Sequence, residues 1–302
     1  MDKQQMKVKV YGARGSYSPV NGEATQFGVN TTCFRIDVGE TILIFDAGSG
    51  IIPLGQDLVK EFFAKDATLD NWVTHLFFTH MHIDHLIGFP YFAMLYLPKS
   101  VINFISPRIL DYDLKDVLDM FVHPPFFPVS LHDLPVTTNF YHMAEKYVVY
   151  FFEDNTFEIK QATEPAPEKW IARVQSIRNF MHPKGGSFFY KITSAAGRKV
   201  VIASDTEGFL GGDQRLVKFA EEADLLLHDA QYTFEEYQKF QGFGHSTYHM
   251  ACEVAKQARV KKLLLIHHDP SHSDETLKQI EKAAQEIFPE TYVASESMEF
   301  TF

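Results

Sequence analysis

The segment Leu76-Phe77-Phe78-Thr79-His80-Met81-His82-Ile83-Asp84-His85 sets three imidazoles and a carboxylate directly after a short apolar run. These residue types at this spacing point to metal binding. A buried strand makes a rigid platform for the loop that follows it, and in an extended segment His80 and His82 point to the same side, where they can chelate one ion. A turn through Ile83 can swing Asp84 and His85 toward a second. A lone histidine after a strand is ordinarily a satisfied polar residue; four potential ligands in one turn are a candidate binuclear site.

Other apolar runs end in the same chemistry. The strand-like segment 170–180 leads into His182, 198–205 finishes on Asp205, 224–229 on His228-Asp229, and 261–269 on His267-His268-Asp269. Asp46 follows another buried strand, and a carboxylate on such a turn is expected to orient a neighbouring loop through hydrogen bonds. In Gly242-Phe243-Gly244-His245-Ser246-Thr247, Ser246 or Thr247 is a natural N-cap for a helix running to about Arg259.

The elements that must position these residues are legible from periodicity. Strands are expected at 6–11, 31–37 and 41–46, then a helix over 53–65 before the motif strand. Helices at 88–97 and 113–121 flank a strand at 101–105. Further strands at 146–152, 157–162 and 170–180 begin a second sheet, and a last helix covers 273–287. Strands followed by helices in each half would let two sheets pack face to face with helices outside. The stretch 121–129, with three prolines and several aromatics, forbids regular structure; it suits a lid over a pocket or hydrophobic packing.

Composition narrows the function classes. The chain has 302 residues, 45% hydrophobic, with 28 Phe and 13 Tyr, enough for a sizeable core; no linker divides it, so one domain over 1–302 is expected. The longest apolar stretch, near 86–97, is broken by Pro90 and too short to span a bilayer, and the N-terminus is polar, which predicts a soluble cytoplasmic protein without membrane contact. Cys33 and Cys252 form no disulfide framework and read as buried thiols. A net charge of −11 disfavours a long nucleic acid, since the only dense basic spot is Arg259-Val260-Lys261-Lys262.

The H-x-H-x-D-H spacing, with Gly88 and Pro90 closing the turn, resembles the signature of the metallo-β-lactamase superfamily. The resemblance extends from Gly12-Ala13-Arg14-Gly15-Ser16 to His267-His268-Asp269-Pro270 and is closest to the ribonuclease Z and phosphodiesterase branch. It implies a four-layer αββα sandwich and two divalent ions, with zinc expected and manganese or iron compatible. Carried over residue by residue, His80, His82 and His182 would hold one ion, Asp84, His85 and His267 the other, and Asp205 would bridge them. His267 and His268 compete, because consecutive strand residues face opposite sides; His267 is the expected ligand. Two such ions lower the pKa of a shared water and stabilise an in-line displacement. The resemblance makes His245 the general acid, and His245 and Asp84 are the candidate catalytic residues. His228, His249 and Glu207 are candidate partners orienting ligands.

Departures from the branch shape the functional expectation. Ribonuclease Z has a long tRNA-gripping arm that often falls between the segments matching His182 and Asp205, and here only 22 residues separate them. Its Gly-Glu-Gly-Thr stretch is replaced by Asp46-Ala47-Gly48-Ser49-Gly50. The expected reaction is therefore hydrolysis of a small or cyclic nucleotide phosphodiester, with Arg14 or Lys184 near the metals and a homodimer compatible. A ribonuclease Z-like RNA endonuclease and a lactone or thioester hydrolase are the alternatives. A non-enzymatic sensor would be expected to lose ligands, and all seven are present.

Overall fold

A computed structural model describes residues 5–19, 26–64, 71–108, 112–182, 185–209 and 211–302. The first sheet is built from β1 (Met6–Gly12), β2 (Cys33–Val38), β3 (Thr41–Phe45), β4 (Trp72–Phe77), β5 (Ser100–Ser106) and β6 (Thr137–His142) in that order. The second contains β7 (Tyr147–Phe151), β8 (Phe157–Gln161), β9 (Ala172–Asn179), β10 (Ser187–Ser194), β11 (Lys199–Ala203), β12 (Leu225–Asp229), β13 (Leu263–Ile266) and β14 (Thr291–Val293), in the order β14-β13-β12-β11-β10-β9-β7-β8. A last strand, β15 (Glu299–Thr301), returns to the outer edge of β1.

Three apolar cores separate four layers. Between the sheets lie Leu43, Phe45 and Phe77 from the first and Val200, Ile202, Leu225, Leu227, Leu264 and Ile266 from the second. The alternate residues Ile42, Ile44 and Leu76 face outward onto α1 (Ile51–Ala64) and α2 (Leu114–Phe121). On the other side Val201, Leu226, Leu263 and Leu265 meet α3 (Gln214–Phe219), α5 (Tyr248–Ala258) and α6 (Asp274–Ile287), while α4 (Phe234–Phe240) precedes α5. Strands buried on both faces read as continuous apolar runs, which is why they stand out in the sequence. The expected αββα sandwich is the fold observed.

The site is positioned by strand direction. β3, β4, β5 and β6 run parallel, as do β11, β12, β13 and β14. The carboxyl ends of both parallel runs, where α/β folds bind ligands, therefore carry the loops holding Asp46, the 79–85 motif, Asp205, Asp229 and His267.

Some expectations are corrected. Residues 88–97 form no α-helix but two short 3-10 turns, Phe89–Tyr91 and Ala93–Tyr96, since Pro90 cannot donate to a helix ladder. β6 carries a weak signal because it is a half-exposed edge strand of polar and aromatic residues. In the 121–129 loop Phe126 is 86% exposed, while Phe127 packs on Tyr91 and the outer core. Both cysteines are free and buried.

Candidate metal centre

The motif loop leaves β4 with Thr79 and His80 buried, then turns through a 3-10 turn at Ile83–His85 that carries Asp84 and His85 inward. His82 Nδ1 comes within 3.0 Å of His182 Nε2, and His80 Nε2 lies 3.6 Å from Asp205 Oδ2. On the other side His267 Nε2 sits 3.1 Å from Asp84 Oδ2 and 3.2 Å from Asp205 Oδ2, and His85 Nε2 is 3.2 Å from Asp205 Oδ1. Two groups result, one of His80, His82, His182 and Asp205, the other of Asp84, His85, Asp205 and His267, each with its ligand atoms within 4.8 Å of one another. Asp205 belongs to both.

The donor set fits two transition-metal ions. Imidazoles and carboxylates suit zinc, manganese or iron, and the Nε2 atom of His80 is buried without a hydrogen-bond partner, a cost an ion would relieve. The opposite nitrogens are committed elsewhere. His85 Nδ1 faces Asp46 Oδ2 at 2.9 Å, His182 Nδ1 donates to the Gly244 carbonyl at 3.1 Å, and His267 Nδ1 meets Gln231 Oε1 at 3.0 Å. Such partners fix ring orientation and tautomer.

Asp46 does what its turn suggested. It accepts from Thr79 N at 2.7 Å and Thr79 Oγ1 at 2.8 Å as well as facing His85, so it pins the start of the motif loop. Asp46, Asp205 and His267 all adopt left-handed backbone conformations, with φ of 62°, 49° and 62°. Each marks the sharp exit of a parallel strand, a conformation more tolerable for Asp and His than for branched residues. Gly15 explains a further detail: a Cβ there would lie 2.4 Å from the His267 ring, so only glycine permits the approach. The adjacent Ser16 N donates to Asp84 Oδ2 at 2.9 Å.

Electrostatics divide the two groups. Burial, reinforced by neighbouring imidazoles, holds His80 well below the usual histidine range, and burial also lowers His82 and His182. Burial opposes charge on His85 and His267 too, but Asp205 and Asp84 outweigh it. His85 is pushed well up and His267 to about 9. Asp84 and Asp205 are drawn well below the carboxylate range despite burial, by the imidazoles around them.

His245 lies beside this cluster, its ring stacked on His267 with centroids 4.8 Å apart and 13° between planes. Its Nδ1 faces Asp229 Oδ2 at 2.8 Å, while Asp229 Oδ1 accepts from the backbone of Gln231 and Ser246. Thr247 caps α5 by accepting from Met250 N.

Several expectations land elsewhere. His268 Nε2 donates to the Ala294 carbonyl at 3.0 Å, away from the carboxylates that His267 meets. His228 faces the opposite side of β12 from Asp229, and His249 lies in a groove with Phe234 and Gln279. Glu207 acts one step removed, accepting from Gly242 N and Gly244 N in the loop whose carbonyl orients His182. Arg14 is buried and donates to the carbonyls of Gly28, Asp269 and His272, so it is spent on loop structure instead of facing a ligand. Lys184 lies outside the described residues. His123, His132 and His142 sit in local surface contacts with Pro124, Asp133 and Asp113. Asp229, Gln231 and Gly15 gain roles that their strand-end and turn positions alone did not distinguish.

Comparison with known proteins agrees with this architecture. Residues 41–268 match the model of the beta-lactamase superfamily domain. A ribonuclease Z of Thermoplasma acidophilum is 26% identical over 98% of this chain and 96% of its own. The metallo-beta-lactamase fold protein YhfI from Bacillus subtilis superposes with a TM-score of 0.64 at 19% identity, covering 99% of this chain and 100% of that one. Unliganded yeast PDE1 superposes with a TM-score of 0.62 at 12% identity and 98% coverage of both.

Proposed function

The chain belongs to the beta-lactamase superfamily domain family, and from that premise we propose that it is a binuclear metal-dependent phosphodiesterase acting on small or cyclic nucleotide phosphodiesters. The observation that carries this reading is Asp205, whose carboxylate meets imidazoles of both groups, His80 and His182 on Oδ2 and His85 and His267 on Oδ1 and Oδ2, with the Asp229–His245 pair alongside.

His80, His82, His182 and Asp205 would hold one ion, and Asp84, His85, His267 and Asp205 the other. Ions held there activate water as a nucleophile and offset charge on a phosphoryl group. His245 gives the departing oxygen a proton from Nε2, because Asp229 holds its Nδ1. Asp46, Gln231 and the Gly244 carbonyl keep His85, His267 and His182 in the ligating orientation. Ser16 N holds Asp84.

Support for a compact substrate comes from the surface. β10 passes to β11 through residues 195–198, leaving no arm there. The basic spot of the sequence is neutralised, with Arg259 on Glu221 at 2.7 Å and Lys261 on Asp224 at 2.7 Å. No described helix is long and apolar enough to cross a membrane. A second reading, an RNA endonuclease, is favoured by the near full-length likeness to proteins named ribonuclease Z.

Steady-state assays on bis-p-nitrophenyl phosphate, a dinucleotide, a lactone, a β-lactam and precursor tRNA, across a salt series, test the proposal. Small phosphodiesters should be cleaved with little salt dependence. Fast tRNA cleavage falling steeply with salt would establish the RNA reading instead, since many phosphate contacts impose such a slope.

A further inference from the structure

The loop between α4 and α5 does more than carry His245. Buried Glu207 accepts from Gly242 N at 2.7 Å, from Gly244 N at 3.0 Å and from the Tyr237 hydroxyl at 3.0 Å. Both glycines hold φ near 90°, which side-chain-bearing residues rarely adopt. Between these two clamped glycines Phe243 is lifted out of the fold and left 61% exposed.

Phe243 is not isolated. Its ring lies 5.7 Å from Phe240, Phe240 lies 5.4 Å from Tyr232, and Tyr232 meets the His245 ring edge-on at 5.9 Å. Phe240 is 38% exposed and Tyr232 is buried. A continuous aromatic shelf thus descends from solvent to His245. Single exposed phenylalanines need no explanation; one held out by a carboxylate clamp and joined ring by ring to a candidate acid does.

We propose that Phe243, Phe240 and Tyr232 form a leaving-group subsite, a shelf for the nucleobase carried by the departing alcohol of a phosphodiester. This rests on the phosphodiesterase reading. In that reaction a P–O ester bond breaks as water oxygen bonds to phosphorus; the departing oxygen takes the His245 proton and leaves as an alcohol. One water proton passes to solvent, and His245 is reprotonated from solvent. The oxygen nearest His245 is by definition the leaving one, so the rings that flank His245 flank the leaving group. Every base offers a π face, so the shelf selects for a ring and not for base identity.

The test uses the metal-loaded full chain with a dinucleoside phosphate and two analogues, each lacking one base. Products identify the departing nucleoside. Removing its base should lower kcat/KM about 10-fold, in the range of base–aromatic stacking, whereas removing the retained base should matter little. That discrimination should collapse toward one in Phe243→Ala and persist in Phe243→Trp, which also controls for loop folding. Unchanged discrimination in Phe243→Ala, or a larger loss from the retained side, would overturn the subsite. Cleavage of bis-p-nitrophenyl phosphate without any cleavage of the dinucleoside phosphate would overturn the subsite alone; failure on both would overturn the reaction class.

Discussion

Asp229 Oδ2 sits 2.8 Å from His245 Nδ1, and its other oxygen ties down Ser246 N, so one carboxylate sets both the tautomer of the imidazole and the path of its loop. Asp229→Asn can keep the backbone contacts through its carbonyl oxygen while presenting an amide to the ring. Turnover should fall by about 10²–10⁴-fold, the range of a general acid, with both ions retained. Metal analysis beside steady-state kinetics checks this, and loss of an ion would assign Asp229 to the metal centre.

Asp46 holds Thr79 and His85 from full burial. Asp46→Ala leaves those donors unmet, at a cost of about 1–3 kcal/mol for each buried group. The variant should melt earlier and lose an ion from the Asp84, His85 and His267 group. Thermal denaturation and elemental analysis read the two effects separately.

Gly15→Ala makes a sharper test of that group, because the added methyl would come within 2.4 Å of the His267 ring. Metal content should drop from about two ions toward one, with the secondary structure by circular dichroism unchanged. Retention of both ions would mean that the 12–16 loop shifts without disturbing His267.

Ion loading should release protons unequally. In the ion-free protein His85 and His267 are held protonated at neutral pH, His267 to about 9, because Asp205 and Asp84 outweigh burial. His80, His82 and His182 are shifted the other way and are already neutral. A ligating imidazole must be neutral. Binding to the Asp84, His85 and His267 group should therefore expel up to about two protons at pH 7, weakening as pH falls, while the three-histidine group expels few. Calorimetry in buffers of different ionisation heat measures the count.

His75 should make the fold acid-sensitive. It is buried against Phe151 and Phe157, and burial pushes its pKa down to about 3. Folding favours the neutral ring, so its contribution is fully present above about pH 6.5 and is lost as pH falls toward 3, by up to about 1.4 kcal/mol per pH unit. His75→Leu should flatten the slope of unfolding free energy against pH across that window, as measured by denaturant titration.

The four layers were legible because the inner strands alternate between two apolar cores, so their runs are long and bounded by turns. The clustering of His80, His82, Asp84 and His85 was visible for a local reason, their spacing within one loop. Strand alternation says that only one of His267 and His268 reaches the site but does not choose between them: Leu264 and Ile266 face the inner core, and the left-handed backbone of His267 breaks the alternation just where the ligand sits. The same period-two argument, applied to His228 and Asp229 in β12, would have turned Asp229 toward the site and His228 away from it. What no local pattern carries is approach between distant segments: Gly15 against His267, Gln231 against the same ring, and Arg14 absorbed by the carbonyls of Gly28, Asp269 and His272.

The order of the ligands along the chain has a consequence for biosynthesis. The group of His80, His82, His182 and Asp205 is encoded entirely before residue 206, whereas the other waits for His267. As the polypeptide emerges from a ribosome, all four ligands of the first group are present while β13 is still unmade, and the Gly244 carbonyl that orients His182 follows them. An ion captured then would tether the motif loop of the first sheet to β11, the strand onto which β12 and β13 must later add in parallel. The Asp84, His85 and His267 group can form only after β13 has added, so the two halves of the site differ in how much of the second sheet they require.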